Sequence, residues 1–279
     1  MLRSSLLLIA SMLATHGAWA AQPATAPGQA AGAPAAAQTE SQQFARARLM
    51  EMAKFLAGTE KFSVELRIGY EVVQADGQKI EFGEMRQVSV QRPDRMRVVE
   101  LESGGDGNQM LLDGKRITVL NGRTGLFAQA PQPGDIDASV VYFVRDLQMR
   151  LPLAPLLMKS LPDELSRRVQ RIEYVEHTDI LGKPAHHIAA RGANVDLQVW
   201  IADGARPVPL RIVLTYPLAV GQPQFWADFS RWNLSPGFDK AAFTFKPPAN
   251  GKQIMFSVQF VPAARTQQAA ESRKQGGTP

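Results

Sequence analysis

Apolar and polar positions repeat with two different periods along this chain. In SQQFARARLMEMAKFLAG, residues 41–58, Ala45, Leu49, Met52 and Leu56 recur at spacings of four, three and four. That spacing marks one face of a helix, and Gly58 ends it. From residue 62 the period becomes two. In FSVELRIGYEVVQ, Phe62, Val64, Leu66, Ile68, Tyr70 and Val72 share one face, while Ser63, Glu65, Arg67 and Glu71 share the other. Six matches to a period of two predict a strand.

More alternating runs follow. VDLQVWI aligns Val195, Leu197, Val199 and Ile201, and VPLRIVLTY aligns Val208, Leu210, Ile212, Leu214 and Tyr216. QFWADFSRW sets Phe225, Ala227 and Phe229 against Trp226, Asp228 and Ser230, and IMFSVQF aligns Ile254, Phe256, Val258 and Phe260, predicting a last strand over 253–261. Asp76-Gly77, Asp113-Gly114, Asn121-Gly122 and Asp203-Gly204 lie between runs, where tight hairpins need them. Hairpins in series build an antiparallel meander rather than βαβ units.

One region departs from this pattern. Ile136, Val140, Phe143 and Leu147 have helical spacing, and LPLAPLLMKSLP, residues 151–162, is apolar nearly all round and carries three prolines. A segment apolar on every side needs burial on more than one side. It reads as a lid over a sheet or as a plain cap on a core. The predicted class is α+β: one large curled antiparallel sheet with helices covering its concave face.

Composition adds compartment and limits. Residues 1–20 carry Arg3 as their only charge, an apolar run over 6–14 and Ala18-Trp19-Ala20 before Ala21, the pattern of a cleaved signal peptide. Export follows. The chain has no cysteine, hence no disulfide, thiolate metal site or cysteine-borne lipid. Residues 21–40 are Ala, Pro, Gly and Gln with almost nothing else and predict a disordered leader; 262–279 predict a disordered tail, leaving one domain over 41–261. Without Arg3 the balance is 30 basic to 26 acidic residues, a scattered net charge of +4 with no basic run to suggest nucleic acid.

Catalytic signatures are absent: there is no G-x-S-x-G and no H-E-x-x-H. ESGGDGNQ lacks both the Lys-Ser/Thr of a phosphate loop and the acidic spacing of a calcium loop, so it reads as a flexible turn. His186 and His187 are adjacent, point to opposite faces of a strand and cannot chelate one ion together. His16 and His177 are the other histidines, and a structural role is expected for them. No enzyme activity, metal or cofactor is expected.

The stretch VQRPDRMRVVELE, residues 90–102, surrounds an Arg-Pro-Asp-Arg turn with strand residues. SVQRPDRMRVVE, MLLDGKRITVLNGRTGLFAQA and the close DKAAFTFKPPANG stand in the same order as motifs of the periplasmic lipoprotein carrier (LolA-like) superfamily, which the chain resembles over roughly residues 44–251. Met96 stands where that family has an aromatic. The resemblance implies a periplasmic location and an open half-barrel whose apolar hollow holds acyl chains beneath helices. It also implies that Arg92 points toward the hollow and bonds to the lid. On that reading the hollow is lined by Val64, Leu66, Ile68, Tyr70, Val88, Val90, Met96 and Val98, with Phe143 and Leu156 from the lid. The cargo would be lipid acyl chains or a lipoprotein, with a membrane-associated partner, no nucleic acid and a monomeric state. A second reading is an envelope-stress sensor or interaction scaffold. The plain alternative for Arg92 is a solvated hairpin residue.

Overall fold

A computed structural model of the protein describes residues 38–101, 107–146, 151–239 and 241–256. The predicted signal peptide, most of the leader, Leu147, residues 102–106 and the tail lie outside the described residues. The first helix, α1 (Glu40–Gly58), starts at the last residue assigned to the leader and buries Ala45, Leu49, Met52, Ala53 and Leu56, the face the spacing marks.

Six strands follow: β1 (Lys61–Val73), β2 (Lys79–Gln91), β3 (Arg95–Glu100), β4 (Gln109–Asp113), β5 (Arg116–Leu120) and β6 (Leu126–Pro131). Next come α2 (Ile136–Arg145), a 3-10 turn (Ala154–Leu157) and α3 (Leu161–Arg168). The chain then returns to strands: β7 (Arg171–Ile180), β8 (Lys183–Arg191), β9 (Asp196–Ala202), β10 (Pro209–Thr215), β11 (Gln224–Asn233) and β12 (Lys252–Ile254).

Among the described residues these strands form one twelve-stranded sheet in the order β12-β6-β5-β4-β3-β2-β1-β11-β10-β9-β8-β7. Two meanders, β1–β6 and β7–β11, join through the antiparallel pairing of β1 with β11. The sheet is not closed, since β12 and β7 are its two edges. Eleven strands pair antiparallel as expected. The last does not: β12 is three residues long and pairs parallel with β6, so the sheet is mixed. Its chain arrives by a long excursion from β11 rather than by a hairpin, and only a hairpin enforces antiparallel pairing. The rest of the predicted 253–261 strand, with Val258 and Phe260, lies outside the described residues.

Register places the apolar rows on one face. Val64 pairs with Val88, Val88 with Val98, and Met96 with Leu112. Leu66 pairs with Phe229 on the other side of β1. All of these except Val98 are buried, and Val98 packs against them. With α1, α2 and the 3-10 turn they form one core cluster. Each fully buried Leu, Ile or Phe contributes about 1.5–3 kcal/mol of transfer free energy, so this face dominates the stability of the sheet. On the opposite face the C-terminal segment lays Phe245 on Phe127, with ring centroids 5.0 Å apart, and buries Phe243.

Candidate functional site

The Arg92-Pro93 turn between β2 and β3 is where sheet and helices meet. The Arg92 Nε donates to Thr59 O at 3.1 Å, one terminal nitrogen donates to Leu157 O at 2.7 Å, and the other to Leu56 O at 3.4 Å. Leu56 lies in the last turn of α1, Thr59 follows it, and Leu157 ends the 3-10 turn. Carbonyls at helix ends lack intrahelical partners, so the planar guanidinium fork satisfies acceptors from two covering elements at once. Burial lowers the pKa of Arg92, and the charges of Asp137 and Asp135 oppose that shift.

Neighbouring bonds fix the same hub. Ile136 N donates to Pro93 O at 2.9 Å, which docks the start of α2 on the turn. Asp135 caps α2 by accepting from Ala138 N. Asp137 accepts from Lys159 N, Ser160 N and Ser160 Oγ at 2.7–2.9 Å, tying α2 to the start of α3. A cleft of about 410 Å³, lined by Ala57, Gly58, Glu60, Arg92, Pro93 and Lys159, opens beside the guanidinium.

The other residues expected to line a hollow fall into two groups. Val64, Leu66, Ile68, Val88, Val90, Met96 and Phe143 are buried, and Val98 and Leu156 pack against them. These nine form one packed core between the sheet and its covering elements, with side chains occupying the expected hollow. Tyr70 stands apart. It is half-buried and stacks on Phe82, its cross-strand partner, with centroids 5.8 Å apart. Phe82 and Ile80 are exposed, at 44% and 38%. The apolar row therefore runs on along the face past the packed part.

The alternation along β2 is interrupted on that same face. Arg86 lies opposite Leu66, Glu84 opposite Ile68, and Glu100 opposite Arg86. Arg86 and Glu84 form an ion pair at 2.6 Å. Burial raises the pKa of the Tyr70 hydroxyl, and the Glu84 and Glu100 charges add to the rise while Arg86 opposes it. The face thus passes from packed core, through a charged pair, to an exposed aromatic step. Glu84 and Arg86 share the alternation of Val88 and Val90, so this break is written in the spacing of β2.

Donors suited to a metal converge at one place among the described residues: His177, His186 and Asp203, near the β7 edge of the sheet. Their meeting depends on pairing between β7, β8 and the turn after β9, which residue spacing does not reveal. Adjacent His187 does point away, as expected. It stacks on Trp200 at 3.9 Å and its Nε2–H donates to Gln198 Oε1 at 3.2 Å.

Several solved structures are similar to this chain. An uncharacterized conserved protein from Thermus thermophilus shares 12% identity at a TM-score of 0.44, over 77% of this chain and 99% of that one. The Mycobacterium tuberculosis lipoprotein LppX shares 16% at 0.43, over 71% and 100%. A LolA superfamily protein from Nitrosomonas europaea shares 15% at 0.37, over 74% and 99%. No curated protein matches the chain. No helix among the described residues is long and apolar enough to cross a membrane. The model of a family described as predicted periplasmic protein, DUF2092, matches residues 45–257, and the chain belongs to that family.

Proposed function

We propose that this periplasmic protein binds an acyl chain, carried by a lipid or a lipidated protein, against the apolar face of its sheet, and that Arg92 latches the covering elements. Binding rather than catalysis is the proposed role. The observation that supports it is the Arg92 fork. One guanidinium, on the turn that joins β2 to β3, holds the end of α1 and the end of the 3-10 turn.

The energetics suit a reversible latch. A charge-assisted hydrogen bond contributes about 1.5–3 kcal/mol. Sixteen methylenes moved out of water contribute about 13 kcal/mol; the latch at about 1.5–3 kcal/mol and association costs starting at about 4 kcal/mol leave about 6–7.5 kcal/mol, an affinity from a few to tens of micromolar at about that minimum cost. Exposed Phe82, stacked on half-buried Tyr70, supplies an apolar entry that continues along β1 to buried Ile68.

Native mass spectrometry of protein purified from its own periplasm, followed by organic extraction, tests the reading. An acyl-bearing mass on the folded chain is expected. Failure of the protein to bind any fluorescent acyl probe at micromolar concentration would make the face a plain core. Recovery with a protein partner and no acyl mass would favour the sensor or scaffold reading.

A further inference from the structure

We propose that His177, His186 and Asp203 form a binding site for a borderline divalent transition-metal ion, with Zn²⁺ as its probe. Three elements supply the donors. His177 of β7 and His186 of β8 are register partners. The register shifts by one residue between Tyr174 and Glu176. Without that bulge His177 would face Ala185, and its ring would lie on the other side of the hairpin. Bulges re-aim side chains in this way.

Asp203 begins the turn after β9, and its N–H donates to Pro184 O at 3.0 Å, which anchors the turn on β8. Its carboxylate meets both rings: Oδ2 is 3.0 Å from His177 Nε2, and Oδ1 is 3.3 Å from His186 Nε2. All three donor atoms lie within 4.8 Å of one another. A tetrahedral zinc ion with bonds of about 2.0–2.1 Å places its ligand atoms about 3.3–3.4 Å apart. Closing the set onto an ion therefore needs shifts of about an ångström or less in side chains, two of which, His177 and Asp203, are exposed at the rim.

The surroundings distinguish this set from a casual His–Asp pair. Tyr174 OH lies 3.1 Å from His186 Nδ1. With Nδ1–H donating to that hydroxyl, Nε2 carries the free lone pair and faces the carboxylate. A partner on the far ring nitrogen is what orients a metal-ligating imidazole. Phe44 of α1 then packs edge-on against both rings, at 5.0 Å from Tyr174 and 5.6 Å from His186. Two imidazoles and one carboxylate suit zinc, copper, nickel or iron rather than calcium or magnesium. An ion here would tie the edge hairpin β7–β8 to the β9–β10 turn where α1 begins.

The test is titration of the untagged full chain with Zn²⁺ by calorimetry and with Co²⁺ by visible absorption. One ion per chain is expected, with four-coordinate Co²⁺ bands. His177→Ala and Asp203→Asn, both at exposed positions, should each weaken Zn²⁺ binding at least about tenfold and remove the Co²⁺ bands. Tyr174→Phe should weaken it about 10- to 100-fold, and His187→Gln should leave it unchanged. Absence of stoichiometric binding, or binding that survives both His177→Ala and Asp203→Asn, overturns the site.

Discussion

The contribution of Arg92 can be isolated by removing its donors and keeping an apolar stem. In Arg92→Leu the carbonyls of Leu56, Thr59 and Leu157 lose their shared partner. A loss of about 1.5–3 kcal/mol in the latch corresponds to about a 10- to 150-fold change in the opening equilibrium. The strands carry the core, so the fold should persist. The expected outcome is faster amide exchange across 153–161 and an altered acyl-probe off-rate. A variant that exchanges and releases like wild type would leave the Arg92 bonds as plain packing of the turn with no latching role.

A second residue-scale effect is set by His187. Burial lowers its pKa below the ordinary 6.5, and the Gln198 hydrogen bond and Glu176 charge only partly offset this. The unfolded chain therefore takes up the proton first. Well above pH 6.5 both states hold neutral imidazole and this residue adds no pH dependence. As pH falls from there through the depressed folded value, stability is lost. Urea unfolding at pH 7.5 and 5.5 should show a smaller drop in His187→Gln than in wild type. Gly69 offers a purely steric test. A Cβ there would lie 2.3–2.5 Å from the Trp226 ring, which Arg67 and Arg211 flank at 5.6 and 5.0 Å. Gly69→Ala must push the indole out of that sandwich and should cost about 1–2 kcal/mol in thermal or urea unfolding.

At the scale of elements, the lid is built by its prolines. Pro155 stands at the start of the 3-10 turn and Pro162 in the first turn of α3, positions where a missing N–H costs no intrahelical bond. The segment therefore breaks into short pieces joined by polar clamps, Asp137 to Lys159 and Ser160, and Arg92 to Leu157. Short pieces held by few bonds open at lower free energy than a continuous helix or central strand. The neighbouring strand end has the opposite character. Tyr70, Ile80 and Phe82 extend the apolar row beyond the packed region. Placing a carboxylate at buried Leu66 would threaten the fold itself, whereas Phe82→Asp, at a partly exposed position, removes only the stack on Tyr70. Acyl-probe affinity should fall at least about tenfold in Phe82→Asp, with the melting temperature lowered by no more than about 2–6 °C for the lost stack. Unchanged affinity would remove the strip from the entry route.

At the scale of the whole molecule, the sheet stays open. Its edges, β12 and β7, do not meet, so the apolar face must be covered by helices or by a ligand. Linkage gives the expected size of ligand coverage: a ligand at 100 times its dissociation constant adds about 2.7 kcal/mol to the folded state. Thermal unfolding with saturating long-chain acyl probe should shift upward, and a short-chain analogue of the same headgroup should shift it less. Equal shifts would point to headgroup binding rather than chain burial.

The pattern of residues by itself determined the helix face of α1, the alternating strands, the four Asp/Asn-Gly turns and the antiparallel character of the meanders. These follow from local periodicity and turn stereochemistry, which a chain carries in its own spacing. The Leu181-Gly182 turn between β7 and β8 escaped that reading, because its first residue adopts φ 52 without being Gly, Asn or Asp. Tertiary structure alone decided the rest. It packed the expected hollow with side chains, because an apolar face uncovered in water is filled by whatever apolar segment can reach it. It turned β12 parallel, because a long connection leaves strand direction free. It also brought His177 to His186 and Asp203, because a one-residue bulge and a turn from the next hairpin act across 26 positions of sequence, a separation at which local spacing carries no signal.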